Sequence, residues 1–216
     1  MARKKGGLMH VSEAGTVLVV CTANVCRSRY AAALLAPRVP WPVRSAGVQA
    51  RDGAVLCSLA AHRLDDDHRA LESAGPGGRR LRHEHLAGAG LVLTARRAQR
   101  AAVVRMLPEA RSRTFTLREF ALLVEQFPHA LNGDLPGAVA ALDRLRPRLA
   151  VPNARVRLMD RVTGAGPAAA LSALDVEDGH VHGGRRHRRA LDEIEAASRR
   201  IGDALALLAI TADGSL

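Results

Sequence analysis

One segment of the chain has the residue types and the order for nucleophilic chemistry on an anion: Cys21-Thr22-Ala23-Asn24-Val25-Cys26-Arg27-Ser28. A cysteine attacks as its thiolate, and an arginine six positions later offers a planar fork that matches two oxygens of a phosphate. The loop between them can curl so that successive backbone N–H groups point inward. Such a nest, completed by a helix N-terminus, holds a dianionic phosphate and favours the thiolate of a cysteine on its rim. Thr22, Ala23, Asn24, Val25, Cys26, Arg27 and Ser28 are thus the candidate phosphate-binding residues, with Cys21 as nucleophile. Asn24 suits the left-handed backbone that a tight loop needs. The Ser28 hydroxyl can donate to the sulfur, first as thiolate and later as leaving group.

The bare spacing is not specific, because Cys57 and Arg63 repeat it. Context separates the two. Cys57 lies within an Ala/Leu pattern, Ala54 to Leu64, that reads as helix, where a six-residue offset places Cys and Arg on different faces. Leu64 follows Arg63 where the first match has a hydroxyl. Cys57 is expected to be a helix residue remote from the loop.

Cys21 ends an apolar, β-branched run (Thr16 to Val20), as a strand buried on both faces would. Arg29 to Leu35 reads as a helix stopped by Pro37. Pro42 to Ala46 reads as a second strand closed by Gly47, Leu91 to Thr94 as a third, and Arg113 to Leu117 as a fourth. Helices are predicted over Arg96 to Leu107 and Arg118 to Glu125. Strands alternating with helices imply right-handed crossovers, hence an α/β fold with a doubly wound, four-stranded parallel sheet and helices on both faces. In such a fold ligands sit at the carboxyl ends of the strands, where Cys21 falls. Leu191, Ile194, Ile201, Leu205 and Leu208 form one apolar stripe of a last helix. Residues 1–14 read as a basic flexible tail and 15–216 as a single domain, within which 131–174 is a partly irregular insertion holding one possible helix, Ala138 to Leu149.

The run T-V-L-V-V-C-T-A-N-V-C-R-S resembles the active-site loop of the low-molecular-weight protein tyrosine phosphatases, an apolar strand followed by C-x-x-N-x-C-R-S. Ser45-Ala46-Gly47 resembles the turn ending that family's second strand. The runs starting at Leu91 and Arg113 resemble its bacterial members. The resemblance implies a flavodoxin-like sheet and hydrolysis of phosphomonoesters, with phosphotyrosine as the family's substrate class, through a cysteinyl-phosphate on Cys21. Arg27 would bind phosphate, while Asn24, Ser28 and Ser45 support the loop. Asp178 stands where the family carries its Asp-Pro general acid, with Asp175 as the alternative. Cys26 would be either a resolving thiol for oxidised Cys21 or simply loop packing. No cofactor is implied.

The departures are specific. Arg29 replaces a usual proline, Gly179 the proline of Asp-Pro, and His180 the aromatic that follows it. Val48, Gln49 and Ala50 offer no ring, leaving Tyr30 as the one aromatic near the loop in sequence. A family histidine that braces the loop asparagine has no match, Pro76 lying near its place.

The net charge of +11 comes almost wholly from arginine, since lysine occurs only at positions 4 and 5. It favours an anionic substrate, whether a phosphorylated protein or a small phosphate ester. The scatter of arginines without interleaved aromatics argues against a nucleic-acid binder. No apolar run of membrane-spanning length and no signal-peptide pattern occur, so no membrane partner and a cytoplasmic location are expected. Three cysteines make no disulfide framework. The pairs His83/His85 and His180/His182 lack further ligands at useful spacing, so no metal is expected. Two alternatives remain. One is arsenate reduction on the same loop, which needs a second thiol able to reach Cys21. The other is phosphate binding without catalysis, should Gly179 and His180 spoil the acid loop. Nothing in the sequence sets an oligomeric state.

Overall fold

The computed structural model describes residues 15–64, 77–151, 172–179 and 184–212. Four parallel strands, β1 (Thr16–Cys21), β2 (Val43–Gly47), β3 (Ala89–Thr94) and β4 (Thr114–Thr116), lie in the order β2-β1-β3-β4. The register aligns Val19 with Ser45 on one side and Leu93 on the other. Because the chain leaves β1 first toward β2 and returns on its other side as β3, the switch point falls at the carboxyl end of β1. This is the predicted doubly wound architecture.

Alternation along β1 divides the core. Val17 and Val19 face one layer, with α1 (Arg27–Leu35), α5 (Leu117–Gln126), α6 (Leu135–Leu145) and α7 (Gly184–Ala212). Leu18 and Val20 face the other, with α3 (His83–Ala87) and α4 (Arg97–Met106). The stripe predicted on α7 is fully buried: Leu191, Ile194, Ile201, Leu205 and Leu208 are all at 0% exposure. Thr116 caps α5 by accepting from the Glu119 N–H at 3.1 Å, and Glu119 returns the bond to the Thr116 N–H at 3.1 Å. Glu119 is buried and also pairs with Arg100 and Arg146, the latter stacked 4.1 Å from the Phe115 ring centre.

Two expected elements differ. The helix predicted over Ala138 to Leu149 starts earlier, at Leu135, because Asp134 accepts from the Gly137 N–H at 2.9 Å. Leu135, Ala138, Val139 and Leu142 bury its inner face, so this part of 131–174 belongs to the core. Residues 152–171 and the tail 1–14 lie outside the described residues. The helix predicted from Ala54 begins only at Ser58: α2 is Ser58–Arg63. The residues before it are held extended, Ala54 accepting from the Arg29 guanidinium at 2.8 Å and from the Gly78 N–H at 2.7 Å. Tertiary bonds here override an Ala/Leu helical pattern.

Candidate active site

The loop between β1 and α1 curls as its composition requires. Asn24 takes φ 52, the left-handed conformation expected of it. That turn brings the Asn24 N–H to 3.3 Å from Cys21 Sγ. The outward-facing carbonyls of Cys21 and Thr22 accept from the N–H groups of Val48 and Gln49 at 3.0 and 2.8 Å. Gly47 makes this support possible: a Cβ there would stand 2.6 Å from the Thr22 carbonyl oxygen and 2.8 Å from the Asn24 nitrogen.

Hydrogen-bond directions around Asn24 can be assigned without ambiguity. The Arg79 N–H can only donate, and it does so to Asn24 Oδ1 at 2.7 Å. Asn24 Nδ2 therefore faces, and donates to, Ser28 Oγ at 2.8 Å and Ser45 Oγ at 3.0 Å. Ser28 Oγ stands 3.0 Å from Cys21 Sγ, a bond in which either atom can donate; toward a thiolate the hydroxyl is the donor. The Asn24 N–H and the Ser28 hydroxyl thus converge on one buried sulfur. Arg79, not a side chain near Pro76, fills the bracing role, and Pro76 itself is outside the described residues. Gln99 on α4 adds a bond to Thr22 Oγ1 at 3.0 Å.

Arg27 is the first residue of α1 and its side chain is 6% exposed. Its Nη1 donates to the Val176 carbonyl at 3.3 Å, and Nη2 is paired with the Asp178 carboxylate, itself 30% exposed. Asp175 faces away. It accepts from the Arg97 N–H at 2.8 Å at the start of α4 and pairs with the Arg97 guanidinium at 3.3 Å. Between them Val176 is fully buried, its N–H bonded to the Ala95 carbonyl at 2.8 Å. The segment is thus anchored at Asp175 and Val176 and presents Asp178 to Arg27.

Gly179 explains the missing proline. Its position lies against the first turn of α7, where a Cβ would be 2.3 Å from His187 Cα and 2.5 Å from His187 N. Any residue but glycine would have to push α7 aside. Arg29 likewise has a task where the family has proline, tying Ala54 to α1.

Two expectations fail. Tyr30 offers no ring to a substrate, being 1% exposed within the core. Burial, with Glu195 nearby, pushes its hydroxyl above the ordinary tyrosine range. Cys57 is neither inside a helix nor remote. It caps α2, its sulfur accepting from the Ala60 N–H at 3.4 Å, and its own N–H bonds the Val25 carbonyl at 2.7 Å. The Val25 bond carries Cys57 up to Cys26. The Cys57 contact and burial together push the Cys26 thiol well above its usual range. His187 joins them, its Nε2 3.0 Å from Cys26 Sγ and 3.7 Å from Cys57 Sγ. No periodicity signals a contact between residues so far apart in sequence.

Of the histidine pairs, His83 and His85 sit in α3, where His85 Nδ1 accepts from the Arg82 N–H at 3.1 Å. His180 and His182 lie outside the described residues. Among the described residues no helix is long and apolar enough to cross a membrane.

The sequence profile of the family described as low molecular weight phosphotyrosine protein phosphatase matches residues 16–131. A protein-arginine-phosphatase of Geobacillus stearothermophilus is 38% identical over 106 residues, covering 48% of this chain and 70% of the relative. The solved YwlE arginine phosphatase from Geobacillus stearothermophilus superposes with a TM-score of 0.54 at 25% identity, over 88% of this chain and 92% of that one. The tyrosine phosphatase Wzb from Escherichia coli K30, solved with phosphate, gives 0.57 at 18% identity over 88% and 98% of the two chains, a likeness of fold.

Proposed function

Because the chain belongs to the low molecular weight phosphotyrosine protein phosphatase family, a family of cysteine-dependent phosphatases, we propose that Cys21 is its nucleophile and Asp178 its general acid toward phosphorylated protein side chains. The observation that carries this reading is the convergence of the Asn24 N–H and the Ser28 hydroxyl on Cys21 Sγ, beside the buried fork of Arg27. The thiolate attacks phosphorus in line. The loop N–H groups and Arg27 hold the equatorial oxygens as charge shifts onto the leaving atom. Asp178 protonates that atom, and as carboxylate it then draws a proton from the water that hydrolyses the cysteinyl-phosphate. Ser28 steadies the sulfur as it departs. What favours Asp178 over Asp175 is its place: its carboxylate meets Arg27, whereas that of Asp175 is turned to the start of α4.

A second reading concerns the side chain dephosphorylated. All five aromatic residues are placed away from the mouth of the loop. Tyr30, Phe115 and Phe120 are buried, Trp41 precedes β2 at the opposite end of the sheet, and Phe127 follows α5 at that same opposite end. A site to which no Phe, Tyr or Trp ring is turned has little reason to prefer phosphotyrosine, and the relative named a protein-arginine-phosphatase supports phosphoarginine. That substrate needs the same acid, on nitrogen instead of oxygen.

The test is turnover of p-nitrophenyl phosphate, phosphotyrosine peptides and phosphoarginine peptides. Cys21→Ser should abolish all three, and full activity in that variant would end the reading. Phosphate or vanadate binding without hydrolysis would select the non-catalytic alternative. The thiols beside the loop also give arsenate reduction a route, and thiol-dependent arsenate turnover lost in Cys57→Ser would displace hydrolysis as the main activity.

A further inference from the structure

Cys26, Cys57 and His187 come from three separate places in the chain and share one trait: each stands at the start of a helix. Cys26 precedes α1, Cys57 precedes α2, and His187 is in the first turn of α7. Their Sγ, Sγ and Nε2 atoms all lie within 4.8 Å of one another. Cys26 is buried, while Cys57 and His187 are half-buried, so the cluster opens to solvent on one side.

We infer that these three side chains form a zinc-class metal site that shares Cys26 with the loop but leaves Cys21 out, with two thiolates and one imidazole as ligands and, among the described residues, no fourth protein ligand. Tetrahedral zinc with bonds of about 2.3 Å to sulfur and 2.0–2.1 Å to nitrogen sets its ligand atoms about 3.6 Å (S to N) and about 3.8 Å (S to S) apart. The observed sulfur-to-nitrogen distances are 3.0 Å from Cys26 and 3.7 Å from Cys57, so the first must open by about 0.6 Å and the second needs almost no change. Two soft sulfurs and one borderline nitrogen select zinc or another thiophilic ion over magnesium or calcium. The charge also balances. Binding exchanges two thiol protons for a dication, so the site stays neutral beside Arg185, Arg186, Arg188 and Arg189, where a bare cation would be repelled.

A disulfide between Cys26 and Cys57 would account for two of the three groups only. Convergence of the nitrogen donor on both sulfurs is what distinguishes a metal site. The ion would tie the Cys26 end of the loop to the first turn of α7, which is packed on Gly179 beside Asp178. It would do so without touching Cys21.

The experiment uses the full chain, reduced, stripped with chelator and titrated with zinc against a metal-binding dye. One equivalent is expected. Cys57→Ser and His187→Ala should each weaken binding by about a hundredfold or more, since each removes a ligand outright, whereas Cys21→Ser should keep the full stoichiometry. Because a ligand variant could fail to fold, the wild-type chain supplies a second measurement. Cobalt in place of zinc should give the intense visible bands of a tetrahedral ion with thiolate charge-transfer absorption. Zinc should protect Cys26 and Cys57, but not Cys21, from alkylation. Zinc bound equally by Cys57→Ser, lost in Cys21→Ser, or unable to shield Cys57 would each overturn the assignment. None of these results bears on whether Cys21 hydrolyses phosphate.

Discussion

Replacing Gly47 by alanine adds one methyl group and should disable the phosphate loop. Gly47 is not among the positive-φ residues, so the objection to a side chain is space alone. The new Cβ would meet three backbone atoms of the loop: the Thr22 oxygen at 2.6 Å, the Asn24 nitrogen at 2.8 Å and the Ala23 carbonyl carbon at 3.0 Å. Ordinary contact begins at 3.4 Å, so the loop or the end of β2 must yield by about 0.8 Å. Neither is free to do so, because the N–H groups of Val48 and Gln49 bind the loop carbonyls immediately beside the clash. Overpacking of this kind costs about 1–3 kcal/mol of stability. The larger effect is on catalysis. A displacement near 1 Å in a site that works by positioning costs about a hundredfold in rate, equivalent to about 2.7 kcal/mol of barrier. The assay is kcat/KM for p-nitrophenyl phosphate and the affinity for vanadate, beside a urea melt. Gly53→Ala is the control: its φ of 78 carries a backbone penalty, but no atom lies within 4 Å of the added methyl, so stability should fall while kcat/KM holds. Wild-type kcat/KM in Gly47→Ala would refute the claim that β2 shapes the loop.

Asp178→Asn should lower kcat by about a hundredfold or more while vanadate affinity stays within a few-fold, whereas Asp175→Asn, which loosens the start of α4, should shift the urea midpoint and spare most of kcat. Glu119→Ala removes the carboxylate shared by Arg100, Arg146 and the Thr116 N–H, and should destabilise by about 3–5 kcal/mol in a urea melt; Glu119→Gln, which keeps an acceptor for the cap, should cost less. His85 is held below its usual 6.5 by burial and by the charge of Arg79, so its imidazole titration followed by NMR should show a lowered midpoint. A depressed histidine stabilises fully above the unfolded value and loses that contribution as pH falls through its folded one. The urea midpoint should therefore drop below about pH 6.5, and His85→Gln should flatten that part of the profile.

What the sequence made legible was whatever depends on near neighbours. The four strands are short β-branched or apolar runs bounded by breakers, and the stripe on α7 repeats at helical spacing, so each declares itself within about a dozen residues. The loop is legible for the same reason: thiol, turn residue, guanidinium and hydroxyl all fall between Cys21 and Ser28. Even Asn24 could be assigned its left-handed backbone from residue type and place.

The rest was hidden because it is made by contacts between residues distant in sequence. The Ala54 to Leu64 segment has a helical composition, yet the Arg29 guanidinium and the Gly78 N–H take up the Ala54 carbonyl, and the helix loses its first turn. That loss moves Cys57 from the middle of a helix to its cap, and from there its N–H reaches Val25 in the loop between β1 and α1. Composition gives no sign of it, because a bond to a backbone carbonyl asks nothing of the partner's side chain. Arg79 braces Asn24 in the same way, through an N–H that every residue but proline possesses. Gly179 is the instructive middle case. As a departure from Asp-Pro it reads in sequence as a loosened acid loop, but its position against His187 shows a glycine required by close packing. The same substitution that looked like lost constraint is therefore a second means of fixing Asp178, with the helix start supplying the rigidity that a proline ring would otherwise provide.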